Sequence, residues 1–140
     1  RQPAIVLVDD DFHSARLMLR MLAAHGSPHV EHMPDPEAAY EALCGTTGNV
    51  PANGQVMVVV DLKSSSLATR DFVARLKAGA PDLLVVAMAP NLDRDTRIGL
   101  LDAGAVAVFE RQPDLTLYRR EAAAIVAFWV RNQRLDAVGS

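Results

Sequence analysis

Three consecutive carboxylates, Asp9, Asp10 and Asp11, follow the apolar run Ala4-Ile5-Val6-Leu7-Val8, and a second apolar run, Val56 to Val60, ends in Asp61. Short unbroken runs of this kind read as buried strands. The carboxyl end of a strand in an open parallel sheet is where such sheets bind ligands. If the two strands are neighbours, their carboxylates converge, and like charges held close raise one another's cost of ionisation. A hard cation taking oxygen ligands and keeping several waters, such as Mg²⁺, relieves that cost.

The rest of the chain has to supply the elements that hold these acids together. After the first strand, Phe12, Ala15, Leu19 and Leu22 recur at helical spacing and end at Gly26. His29–Met33 is a weak, polar strand expected near an edge. Asp35-Pro36 pairs a capping side chain with proline at the first helical position, opening a helix through Ala39, Tyr40 and Leu43 to Gly45. Thr46–Gln55, with Gly48, Pro51, Asn53 and Gly54, reads as a loop. Val56–Val60 is the third strand. A helix capped by Thr69 or Ser66 then runs through Phe72, Val73 and Leu76 to Gly79, and the fourth strand is Leu83–Ala87. Asp93–Ala103 is helical, with Ile98, Leu100 and Leu101 inward. Val106–Phe109 is the fifth strand, and the last helix starts near Asp114 or Leu115. Five strand–helix alternations imply an α/β fold, a doubly wound five-stranded parallel sheet of (βα)5 type with right-handed crossovers.

Composition narrows the function classes. A chain of 140 residues is one domain with a sizeable core, and at 50% hydrophobic but 5% aromatic that core is aliphatic. A net charge of −3 without a basic tract gives no field for gripping nucleic acid. The single Cys44 can form no internal disulfide, which suits a reducing, cytoplasmic setting. No apolar stretch reaches the ~20 residues that cross a bilayer. The chain opens on Arg1, so it is expected to be cut from a longer polypeptide. His29 and His32 lack Cys or acidic partners at ligand spacing, and His13, His25, His29 and His32 read as solvated or capping side chains.

The constellation Ile5-Val6-Leu7-Val8-Asp9-Asp10-Asp11, then Val58-Val59-Val60-Asp61, then Asp102-Ala103-Gly104-Ala105 resembles the receiver domain of two-component response regulators, over about Ala4 to Ala127. The resemblance implies a flavodoxin-like receiver fold over residues 1–127. It implies that Asp61 accepts a phosphoryl group from the phosphohistidine of a histidine kinase or phosphotransfer domain. It also implies that Asp9, Asp10, Asp61 and the backbone carbonyl of Lys63 hold Mg²⁺. Asp11 falls one place beyond the paired acids and is expected to cap the first helix. Beyond such self-phosphorylation and dephosphorylation, no separate enzyme activity is evident.

The sequence departs from that family where phosphorylation is read out. The hydroxyl expected at the end of the fourth strand falls on Ala89, or on Ala87 in another register. The expected lysine after the fifth strand becomes Arg111, followed by Gln112 before Pro113, and the fifth-strand aromatic becomes Val108, beside Phe109. Lys63-Ser64-Ser65-Ser66-Leu67 replaces the usual residues after the acceptor, with one of the serines a candidate replacement hydroxyl. Arginine keeps the charge but not the point geometry of an ammonium. A missing hydrogen bond to a charged group is worth about 1.5–3 kcal/mol, enough to uncouple phosphorylation from loop motion. The alternative is therefore a degenerate receiver, acting as a phosphorylation-independent dimerisation or protein-interaction module. A haloacid-dehalogenase-like hydrolase, suggested by Asp9 and Asp11, lacks the later hydroxyl, since that place is His13.

Ala122 to Val130 is apolar on every side, and the stripe Tyr118, Ile125 and Trp129 suggests a partner helix, hence a homodimer through the last helix. Arg131 to Ser140 resembles the stretch before the phosphoacceptor histidine in hybrid sensor kinases. Residues 128–140 are accordingly expected to extend the last helix as a coiled-coil linker to a following domain.

Overall fold

The computed structural model describes residues 4–45 and 56–139; the expected loop Thr46–Gln55 lies outside the described residues. Five strands alternate with five helices: β1 (Ile5–Val8), α1 (Phe12–Ala24), β2 (Val30–Met33), α2 (Pro36–Cys44), β3 (Met57–Val60), α3 (Ala68–Gly79), β4 (Leu84–Ala89), α4 (Arg94–Ala103), β5 (Ala107–Glu110) and α5 (Leu115–Gly139). All strands are parallel in the order β2-β1-β3-β4-β5, so β2 is at one edge and the chain reverses direction across the sheet between β1 and β3. The expected doubly wound (βα)5 sheet is the fold observed.

Strand alternation divides the core in two. Val6, Val8, Val58, Val60, Val85 and Ala87 point to the face covered by α2, α3 and α4. Ile5, Leu7, Met57, Val59, Val86 and Met88 point to the face covered by α1 and α5. Strands buried on both sides are why these segments read as continuous apolar runs.

Capping follows the sequence closely at three helices. Asp11 accepts from the N–H groups of His13 and Ser14, and those bonds, Ser14's foremost, hold its carboxyl below the usual range. Asp35 accepts from Glu37 N and Asp93 from Thr96 N. At α3 the expectation fails. Its N-cap position is Leu67 with no side-chain cap, while the Thr69 hydroxyl accepts from Leu62 N at 2.9 Å, tying the helix to the strand-end loop.

Inward faces also differ in detail. On α1 Met18 joins Ala15 and Leu22 in the core, while Phe12 is exposed and Leu19 only half-buried. On α4 Leu100 alone is buried, and Ile98 and Leu101 face outward. β4 runs two residues past its expected end, carrying Ala89 as well as Ala87. On α5, Tyr118 and Ile125 are buried against the sheet with Ala122, and Trp129 packs beside them. The stripe expected to meet a partner is spent on the protein's own core.

Gly104 ends α4 at φ 121°, and a Cβ there would stand 2.5 Å from Lys77 Cγ. Lys77 is itself held by the carbonyls of Pro81 and Leu83. Gly104→Ala is therefore expected to cost about 1–3 kcal/mol, read as a lowered Tm. Gly26→Ala, with positive φ but open space around it, should cost less; equal losses would remove the steric explanation.

Candidate functional site

The acids converge where β1 and β3 lie side by side. Val8 pairs with Val60, and Asp61 N donates to Val8 O at 2.9 Å, so Asp9 and Asp61 leave the sheet at the same level. Asp9 is 0% and Asp61 1% exposed. Two buried carboxylates this close need compensating charge, and two cations provide it. Lys63 Nζ lies 2.8 Å from Asp9 Oδ1 and 3.1 Å from Asp61 Oδ2, and it also donates to the Asp61 carbonyl at 3.1 Å. From β5, Arg111 Nη1 donates to Asp61 Oδ1. Arg111 N donates to Ala89 O, which joins the arginine to the end of β4.

Burial pushes the Asp61 carboxyl above its ordinary range, against the opposing pull of Lys63 and Arg111. Tyr118, reaching in from α5, is pushed up to about 12, chiefly by burial. Asp9 Oδ1 additionally accepts from Asp11 N at 2.9 Å, whereas Asp9 Oδ2 is buried with no partner. The Asp9 carbonyl meets His32 Nε2 at 2.8 Å, and the His32 ring sits edge-on to Phe12. His32 is thus a half-buried brace for the β1 end rather than a solvated side chain.

Asp10 joins the β1 end to the loop after β3. Its Oδ1 accepts from Lys63 N at 2.9 Å and its Oδ2 from Ser64 N at 3.1 Å, so both oxygens hold the backbone after β3. Among the described residues no three His, Cys, Asp or Glu side chains gather on a common point. The buried acid pair that shares the Lys63 ammonium is Asp9 with Asp61. That pair still fits a hard divalent cation, because Mg²⁺ is commonly held by one or two carboxylates and waters, and Asp9 Oδ2 is an unpartnered buried oxygen beside it. Asp11, turned to the α1 terminus, does not form the second acid of a hydrolase pair.

Ala89 is buried at the pocket wall without a hydroxyl, and Ser64, Ser65 and Ser66 are exposed. Val108 packs toward the α2–α4 face, and Phe109 stacks edge-on with Phe128 at 6.3 Å. Cys44 is half-buried against the core, and burial pushes its thiol up. The inward Lys63 side chain was missed at the sequence level, where only its carbonyl was considered. The available signal was a lysine two residues after a buried acid, within reach of it.

Solved structures share this architecture. A response regulator receiver domain from Rhodospirillum rubrum superposes with a TM-score of 0.73 at 19% identity, covering 90% of this chain and 92% of that one. The phosphorylated cyanobacterial phytochrome response regulator RcpA gives 0.73 at 21% identity, covering 93% and 95%. The Mn²⁺-bound form of response regulator Rcp1 gives 0.72 at 21%, covering 91% and 94%. No protein-family model matches the sequence, and no curated protein matches it. The chain has the flavodoxin-like fold of receiver domains. Among the described residues no helix is long and apolar enough to cross a membrane.

Proposed function

We propose that this domain is a phosphoaccepting receiver in which Asp61 takes a phosphoryl group from the phosphohistidine of a kinase or phosphotransfer domain on the cytoplasmic side. The observation that carries the proposal is a buried carboxylate at the end of the central β3, facing a second buried acid and contacted by two cationic side chains. In the transfer, an Asp61 oxygen forms a bond to phosphorus as the P–N bond breaks, and the histidine nitrogen leaves with the electron pair. Arg111, paired to Asp61, offers positive charge to the phosphoryl oxygens, where charge develops. Asp9 and Asp61 would hold Mg²⁺, with Asp10 holding the Lys63-Ser64 backbone beside them. The ion, when bound, neutralises phosphoryl charge.

Incubation with Mg²⁺ and acetyl phosphate, followed by intact-mass measurement, tests the proposal. An adduct is expected on the native protein and none on Asp61→Asn. An adduct that persists in the variant, or none on either protein, would sink it.

One observation favours a second proposal, the phosphorylation-independent interaction module. Asp61 is already held by Arg111 and Lys63, and Ala89 offers no hydroxyl to report its modification. Homodimerisation belongs to either proposal. With Tyr118 and Ile125 buried, it would draw on the exposed Leu115, Leu117 and Val130 of α5, together with Ile98, Leu101 and Val106.

A further inference from the structure

We propose that the Lys63 ammonium is the resident cation of this site and a gate on it, so that a divalent ion loads only when the lysine side chain withdraws. The inference rests on the proposal above that a divalent ion binds at Asp9 and Asp61. The ammonium contacts three oxygens from both strand ends: Asp9 Oδ1, Asp61 Oδ2 and the Asp61 carbonyl. An ion bridging these two carboxylates would occupy the same space. Mg²⁺ requires oxygens at about 2.0–2.1 Å, so it competes with the ammonium for Asp9 Oδ1 and Asp61 Oδ2.

Charge points the same way. Asp9 and Asp61 are balanced by Lys63 and Arg111, so these four side chains are neutral together, with the Asp10 carboxylate beside them on the Lys63 and Ser64 amides. Adding a divalent ion with the lysine still in place leaves net positive charge in a largely buried site, even with Asp10 counted. Withdrawal is mechanically open to Lys63 because its side chain is 21% exposed and carries a flexible four-carbon stem. The backbone need not follow, since Asp10 holds Lys63 N and Ser64 N independently of the side chain. Asp10 therefore fixes the loop from which the lysine reaches in. The arrangement lets this receiver keep its acids compensated without metal, at the expense of divalent affinity.

Two ligands excluding one another from one site weaken each other equally, and coupling of this kind is commonly 5- to 150-fold. Lys63→Met keeps the stem and removes the charge. Mn²⁺ binding to the full chain, followed by electron paramagnetic resonance of the free ion, should be at least about tenfold tighter in Lys63→Met than in the native protein. In a metal chelator the variant should also melt below the native protein, with Mn²⁺ restoring the difference, because Asp9 and Asp61 are left to Arg111 alone. Lys63→Gln is the second variant if the first does not fold. Equal or weaker Mn²⁺ binding in the folded variant overturns the gate while leaving the phosphoacceptor proposal intact. No Mn²⁺ binding to either protein overturns the divalent site itself, and the gate with it.

Discussion

Ile125→Ala is expected to destabilise the protein by about 2–5 kcal/mol, the range for truncating a large aliphatic side chain in a core. Ile125 is 0% exposed and packs in the cluster that includes Met18, Leu22, Tyr118 and Ala122, where α1 and α5 cover the sheet. The truncation leaves a cavity between two helices and a sheet that cannot all close in. For a chain of this size a loss of 1 kcal/mol lowers Tm by roughly 3–4 °C, so thermal unfolding resolves the effect easily. Leu117→Ala, on the outer side of the same helix at 39% exposure, is the control and should stay within about 0.5 kcal/mol. The size-exclusion profile of Ile125→Ala should match the native profile. If Tm holds and the assembly state changes instead, Ile125 faces a partner and the core assignment of α5 is wrong.

Arg111→Ala is expected to slow phosphorylation of Asp61 by acetyl phosphate about 10²-fold, the usual consequence of removing one preorganised positive or hydrogen-bonding group from the place where charge develops. The expectation depends on the phosphoacceptor proposal. Arg111 is the cation that meets Asp61 from β5, across from Lys63, and its own backbone is anchored to Ala89. Its backbone is therefore fixed beside the acid when charge arrives. The opposing possibility is that the arginine chiefly restrains the nucleophile in its resting pair. Pseudo-first-order rates of adduct formation at saturating Mg²⁺ decide between them. A rate equal to or above native would show that the guanidinium holds Asp61 back rather than assisting transfer. Arg111→Lys should recover only part of the rate, because an ammonium lacks the planar fork that reaches Asp61 here.

Much of this architecture was legible because local rules and the global fold agree. Asp11 and Asp35 cap helices α1 and α2 as their positions suggest, and Asp93 caps α4. Apolar runs located four of the strands, and the weak polar segment His29–Met33 the fifth, to within two residues at either end. Misjudged faces have a common cause. Ile98, Leu100 and Leu101 are all apolar, but successive helical residues point about 100° apart, so a helix covering a sheet cannot bury all three. Periodicity likewise offered two apolar sides for α5, and nothing local says which one meets the sheet. Thr69 was a plausible cap by type, yet the Leu62 amide came within reach of its hydroxyl only after β3 and α3 had packed.

The amino-acid sequence by itself determined the alternation of strands and helices, the caps at Asp11 and Asp35, and the placing of Asp9 and Asp61 at strand ends. These depend on side-chain type and on neighbours a few residues away. Only the tertiary structure decided that β1 lies against β3, that Asp10 turns to the backbone of residues 63 and 64, and that Lys63 and Arg111 share Asp61. Strand order and the direction of a long charged side chain depend on contacts between segments some 50 residues apart. Such contacts exist only once the sheet has assembled and water has left the site, when an unpaired carboxylate becomes costly enough to draw in whichever cation can reach it.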